Sequence, residues 1–135
     1  MLASNLDKKK FENICIIDTN AKIGSKIKVS GGAKCNITNE LVTASNYLGD
    51  REFVAELLEK FSKNELLAFL NKNGVFPKIN PKIVKGTYFC NSSQDVIDMF
   101  TKLTTHVKKY LNTTVLDIDF DKHFKIKTDS KTIEA

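Results

Sequence analysis

ICIIDTNAKIGSKIKVSGGAKCNITNE, residues 14–40, is the stretch on which the reading of this chain turns. Ile14-Cys15-Ile16-Ile17 is an unbroken apolar run that closes on Asp18-Thr19-Asn20. β-Branched apolarity without a polar interruption predicts a strand buried on both faces, the kind found in parallel sheets. Asp18 then stands at the strand's C-terminal end. Residues 24–40 hold three of the six glycines, among small and amide side chains. Such a stretch turns tightly and presents backbone N–H groups to an anion. Ile27 and Val29 alternate with Lys26 and Lys28, so the segment reads as an ordered loop rather than a linker.

Upstream, Leu2 and Leu6 lie four residues apart and read as the tail of a short helix ending in the basic run Lys8-Lys9-Lys10. Downstream, Phe53, Val54, Leu57, Leu58 and Phe61 share one helical face. A second helix opens on a capping box, Ser62 with Glu65, carries Leu66, Leu67, Phe69 and Leu70, and stops at Gly74. The pair predicts a helical hairpin with both faces in the core. Pro77 and Pro81 confine the pieces VFPKI, KIVKG and TYFCN to edge strands or extended loop. Ser92 or Ser93 caps a long helix whose face runs Val96, Ile97, Phe100, Leu103, Val107, Leu111, with His106 on it as a surface or boundary residue. Leu116, Ile118 and Phe120 alternate with Asp117 and Asp119 as a half-buried strand. The chain turns at Asp121-Lys122-His123, returns through Phe124 and Ile126, and begins a further strand at Lys131.

The whole has 135 residues and 15.2 kDa, enough to bury roughly two thirds of its unfolded surface around one core. No apolar run nears the ~20 residues that span a bilayer, and the N-terminus lacks a signal peptide's apolar stretch. Three widely spaced cysteines, Cys15, Cys35 and Cys90, form neither a disulfide framework nor a metal knuckle. A reduced, cytoplasmic protein is the simplest account. The balance of 21 basic and 16 acidic residues leaves +5, yet Arg51 is the only arginine. A scattered lysine surface argues against sequence-specific nucleic-acid reading, which relies on arginine's forked contacts. Asp117, Asp119 and Asp121 lack the mid-loop glycine and terminal glutamate of a calcium loop, so no metal site is expected.

In dinucleotide-binding folds, an acid ending the second strand accepts hydrogen bonds from the adenosine ribose. By that logic Asp18 meets a ribose, while the glycine-rich loop and its lysines meet a pyrophosphate. Asp18 also fits the plainer role of a strand-ending turn former. The GxGxxG fingerprint, due about 20 residues before such an acid, is absent from these residues.

Residues Ile23 to Asn39, IGSKIKVSGGAKCNITN, resemble the string G-[RK]-K-x-x-x-S-G-G-G-R-C-N-x-T-N. That string marks bacterial flavoproteins of the aminoacetone-oxidase-like group, also described as BaiN- or YhiN-like NAD(P)/FAD-dependent oxidoreductases. Gly86 to Val96, GTYFCNSSQDV, is similar to the family's later G-R-x-F-P-x-S-x-x-A-x-x-V element. The likeness covers most of the chain in order. It departs at Ser25, at Ala33 in place of the third glycine, and at Lys34 in place of arginine. Thr87 stands for another arginine and Cys90 for the proline.

The resemblance implies α/β organisation: a partial FAD/NAD(P)-binding Rossmann-like domain with an inserted helical hairpin, a long helix and a C-terminal β-meander. The segments divide as 1–45, the partial FAD-binding piece; 46–90, the hairpin and extended insert; and 91–135, the long helix and meander. It implies FAD as cofactor, with Asp18, Lys26, Ser30, Gly31, Gly32, Lys34, Cys35, Asn36, Thr38 and Asn39 at the cofactor site. No residue reads as a catalytic acid or base, and no substrate is specified. Met1-Leu2-Ala3 matches the middle of the family's first helix, so the chain reads as an internal or truncated fragment. Without the glycine loop it is expected to hold FAD poorly and not to turn over alone. The alternative is a small protein-binding or self-associating module, a homo-oligomer formed through uncovered sheet edges and apolar faces. A third reading, nucleic-acid binding through the lysines, predicts strong salt dependence.

Overall fold

The computed structural model describes residues 1–7, 9–11 and 13–135; Lys8 of the basic run lies outside them. In chain order come α1 (Leu2–Asn5), β1 (Cys15–Ile17), α2 (Ser25–Val29) and β2 (Asn36–Asn39). A 3-10 turn at Ala44–Asn46 leads to α3 (Arg51–Lys60), α4 (Lys63–Lys72), β3 (Lys78–Ile79) and β4 (Thr87–Phe89). Then follow α5 (Ser93–Leu103), β5 (Lys108–Tyr110), β6 (Val115–Asp121), β7 (His123–Thr128) and β8 (Thr132–Glu134). The fold is α/β with C-terminal antiparallel strands. It forms two compact units, a terminal one (Met1–Ser25 with Phe100–Ala135) and a central one (Lys26–Met99).

In the terminal unit β1 pairs with β5 in parallel, Cys15 opposite Lys108 and Ile17 opposite Tyr110. Asp18 N–H prolongs the ladder by donating to Tyr110 O at 3.0 Å. The parallel strand is as expected, but its burial is not two-faced: Cys15 is exposed and Ile16 and Ile17 are half-buried. Among the described residues this sheet has two strands, too few to shield either face.

The long helix ends at Leu103 rather than continuing through Val107 and Leu111. Thr104 and Thr105 are β-branched and poor helix formers. Thr104 Oγ1 donates back to Phe100 O at 2.7 Å, and Lys109 Nζ caps the helix end by donating to Thr104 O at 2.6 Å. His106 therefore sits half-buried in the turn that leads to β5, not on a helix face.

β6, β7 and β8 form an antiparallel meander. Ile118 opposes Ile126, which opposes Ile133, and Phe120 opposes Phe124 with ring centroids 4.8 Å apart. On the other face Asp117 and Asp119 oppose Lys127 and Lys125. Their carboxylates accept from the neighbouring Ile118 and Phe120 N–H groups, at 2.9 and 2.8 Å, on an exposed face opposite lysines. No carboxylate, cysteine or histidine group suited to a metal occurs among the described residues. The expected half-burial does not hold: every residue of β6 is exposed, because nothing described covers the apolar face.

The central unit carries most of the buried apolar side chains, among them Leu70, Val75, Phe89, Val96 and Met99. α4 opens on the anticipated capping box: Ser62 N–H donates to Glu65 Oε2 at 2.6 Å and Glu65 N–H to Ser62 Oγ at 3.3 Å. Gly74 ends it at φ +84. α3 has its own cap, Asp50, whose Oδ1 accepts from the Glu52 and Phe53 N–H groups. Its apolar face is not core, however: Phe53, Leu57 and Phe61 are all exposed. Ser92 Oγ caps α5 by accepting from Gln94 N–H at 3.0 Å.

β2, β4 and β3 form a three-stranded antiparallel sheet with β4 in the middle. The proline rule keeps β3 at the edge, but β4 contains no proline and takes the central place, which corrects its assignment to an edge. KIVKG forms a turn rather than a strand. The alternation around Ile27 and Val29 is likewise not extended: Ser25–Val29 is one turn of helix.

Candidate functional site

The glycine-rich loop between α2 and β2 is built from left-handed backbone. Gly31, Gly32 and Ala33 follow one another at φ +57, +61 and +68, and Cys35 is at +54. Glycine adopts this conformation without a steric penalty and alanine does not. Ala33 thus carries strain at the position where the resembled string has its third glycine. At Gly31 a second constraint applies: a Cβ there would run into the side chain of Asn36.

The loop is tied down through its carbonyls. Ser30 O accepts from Cys35 N–H (3.1 Å), Gly31 O from Lys34 N–H (3.2 Å), Ala33 O from Ser93 N–H (2.8 Å) and Lys34 O from Cys90 N–H (2.9 Å). In a trans peptide the C=O and the following N–H point in opposite directions. Engaging the Ser30 and Gly31 carbonyls inward therefore turns the Gly31 and Gly32 N–H groups the other way. That arrangement suits an anion. Lys26 on α2 and Lys34 in the loop are exposed, Ser30 is half-buried and Cys35 is buried.

β2 continues from the loop into an open cleft of about 690 Å³, lined by Asn36, Thr38, Asn39, Leu41, Asn46, Tyr47 and Thr87 among others. Asn36 is exposed and Thr38 half-buried. Asn39 acts as a brace, since its Nδ2 donates to Thr87 Oγ1 at 3.2 Å and its Oδ1 accepts from Leu41 N–H at 3.1 Å. The first bond holds β2 to β4 where Gly86 turns the chain at φ +73, and the second fixes the chain's exit from β2. Leu41, Asn46 and Tyr47 escaped the sequence reading because they lie past the glycine string, in a segment without periodicity. A mixed amide and aromatic lining is the only local signal they carry.

Asp18 belongs to the terminal unit; the other candidate residues belong to the central one. Its Oδ1 accepts from both the N–H and the Nδ2 of Asn20, each at 2.8 Å. The backbone bond from Asn20, then the side-chain bond, holds its carboxyl below the usual carboxylate range. Asp18 is thus an ionised turn former whose Oδ2 retains acceptor capacity, so its two readings are compatible.

Residues 1–135 match the protein family described as HI0933-like protein Rossmann domain. The chain belongs to this family. Over 101 residues it is 33% identical to the ribosomal RNA dihydrouridine synthase of Escherichia coli (strain K12), covering 73% of this chain and 24% of that protein. Over 66 residues it is 39% identical to the 3-dehydro-bile acid delta(4,6)-reductase of Clostridium scindens, covering 48% of this chain and 16% of that protein. Over 125 residues it is 27% identical to the ribosomal RNA dihydrouridine synthase of Haemophilus influenzae, covering 91% and 30%. The chain spans less than a third of the length of these curated relatives. The flavoprotein oxidoreductase family and the Rossmann-like fold implied by the motifs are therefore shown. No helix among the described residues is long and apolar enough to cross a membrane.

Proposed function

We propose that this chain supplies part of the FAD site of a flavin-dependent oxidoreductase. The observation that carries the reading is the inward-tied glycine loop within a family-wide match. The Gly31 and Gly32 N–H groups face away from the loop's internal donors, and cationic Lys26 and Lys34 flank them. This donor set fits a phosphate-bearing cofactor. Within the terminal unit, Asp18 by itself offers an ionised acceptor of the kind that ribose hydroxyls use, through Oδ2. Asn36 and Thr38 line the cleft and orient a planar, hydrogen-bonding group there, and Asn39 braces it. When bound, the flavin supplies two-electron redox chemistry; the protein positions it and excludes side reactions.

The names of the relatives point to a reaction class. A dihydrouridine and the product of a delta-reductase both carry hydrogen added across a carbon–carbon double bond. We extend that class, reduction of an activated double bond, to the protein of which these residues form a site. The 135 residues contain no GxGxxG, so on their own they are proposed to hold FAD weakly and not to turn over. Titrating the purified chain with FAD, followed by flavin absorbance and fluorescence, tests this. The expected result is weak, salt-sensitive binding that Asp18→Asn and Gly31→Ala diminish further. Submicromolar binding with a shifted flavin spectrum refutes the weak-binding proposal. Binding that neither substitution affects refutes the assigned residues.

A second reading, self-association, is favoured by two exposed apolar surfaces: Phe53, Leu57 and Phe61 on α3, and Leu116, Ile118, Phe120 and Phe124 on the meander. Sedimentation over a concentration series checks it, and a monomer at all concentrations excludes it.

A further inference from the structure

Two of the three cysteines, to which the cofactor reading gives no chemistry of their own, are brought together across the central sheet. Asn36 of β2 opposes Phe89 of β4, and Cys35 and Cys90 are the residues next to that pair, just past the end of the ladder. The backbones are in contact there: Cys90 N–H is shared between Lys34 O at 2.9 Å and Cys35 O at 3.4 Å. Backbones in direct hydrogen-bond contact bring the two residues to the range that a disulfide spans, Cα atoms roughly 4.4–6.8 Å apart. Both thiols are free, and both are buried, at 6% and 3% exposure. A cleft of about 330 Å³, lined by Lys34, Lys78, Ile79, Asn80, Phe89 and Cys90 among others, leads to the second thiol.

We propose that Cys35 and Cys90 are a thiol–disulfide couple, closed by a small two-electron oxidant of the peroxide class and reopened by a dithiol. The Cys90 thiolate, reached through the cleft, attacks a peroxide oxygen. The O–O bond breaks, one water leaves after taking up a proton, and Cys90 becomes a sulfenic acid. The Cys35 thiolate then attacks the sulfenic sulfur, forming S–S, breaking S–O and releasing the second water. Two thiols lose two electrons and two protons, and one peroxide becomes two waters. The bridge ties the end of the left-handed loop to the end of β4, next to the carbonyls that already hold the loop.

The environment makes the couple slow and pH-dependent. Burial pushes the Cys90 thiol up to about 11, with the charges of Cys35 and Asp95 adding to the rise, and burial also raises Cys35. Asp95 on α5 opposes thiolate formation, whereas Lys34 in the loop and Lys78 on β3 line the cleft with opposite charge. Because the thiolate is the nucleophile, a raised pKa means the rate climbs with pH, by about tenfold per unit below the thiol pKa.

The experiment treats the purified chain with hydrogen peroxide at pH 7, 8 and 9 and maps non-reduced peptides by mass spectrometry. Expected are a peptide pair joined through Cys35 and Cys90, a fall from three free thiols to one, recovery with dithiothreitol, and an unchanged cross-link in Cys15→Ser. Closure that accelerates with pH supports the couple. Sulfinic acid at Cys90 with Cys35 still free, or cross-links formed only through Cys15, overturns it. The mapping uses the unsubstituted chain, so it does not depend on whether Cys90→Ser folds.

Discussion

Two three-stranded antiparallel sheets occur among the described residues, and the less regular one is the better buried. The β2–β4–β3 sheet has strands of 4, 3 and 2 residues and a register shift between Asn36 and Thr38. Even so, Phe89 in its central strand is only 6% exposed. The β6–β7–β8 meander has strands of 7, 6 and 3 residues, yet it leaves Phe120 62% exposed. The difference lies in what holds each sheet. The short sheet's pairing continues past both strand ends, Cys90 N–H donating to Lys34 O and Glu40 N–H to Gly86 O, and Ser93 N–H at the start of α5 ties the adjoining loop through Ala33 O. The meander is held by its own ladder, a tilted Phe120–Phe124 contact and the Lys131 ammonium 3.7 Å over the Tyr110 ring. Ladder regularity follows from local alternation; burial depends on which other segments arrive.

That contrast is open to direct test by urea unfolding. Phe89→Ala should cause the largest loss, about 3–5 kcal/mol, because it removes a buried aromatic from the central strand of the short sheet. A loss under about 1 kcal/mol would mean the two sheets are held alike. Gly31→Ala should cost about 2 kcal/mol, from left-handed backbone and displacement of Asn36 at the start of β2. Unchanged stability there would show that the loop relaxes freely. Phe120→Ala should cost only about 1 kcal/mol, the value of an exposed aromatic pair. Its clearer effect should be weaker self-association in sedimentation, and a stability loss as large as that of Phe89→Ala would show the meander face to be covered.

How much of the molecule is legible in its sequence follows the same division. The Ser62–Glu65 box, the Gly74 stop and the edge position of β3 after Pro77 each depend on a few neighbouring residues, and each is legible. So are the meander's turn at Lys122, which stands at φ +64, and the alternation of its faces. The end of α5 is not legible, since Val107 and Leu111 continue the helical spacing. Only β1, far away in sequence, claims Lys108–Tyr110 for a strand. The exposure of α3 is hidden for the same reason: periodicity identifies the apolar face and says nothing about its cover. At the site, the glycine string is visible as composition. The anchoring of the Ala33 and Lys34 carbonyls depends on Ser93 and Cys90, and the bracing role of Asn39 depends on Thr87; these are partners supplied from elsewhere in the chain.

The parallel pairing of β1 with β5 has a kinetic consequence. Its two strands are separated in sequence by the entire Lys26–Met99 unit. Closing a flexible loop of that size costs on the order of 4 kcal/mol in chain entropy before the first ladder bond forms. If the intervening unit has already condensed, most of that freedom is gone when the strands meet. Folding should therefore proceed from the middle outward, with the parallel ladder among the last contacts made and, on partial denaturation, among the first lost.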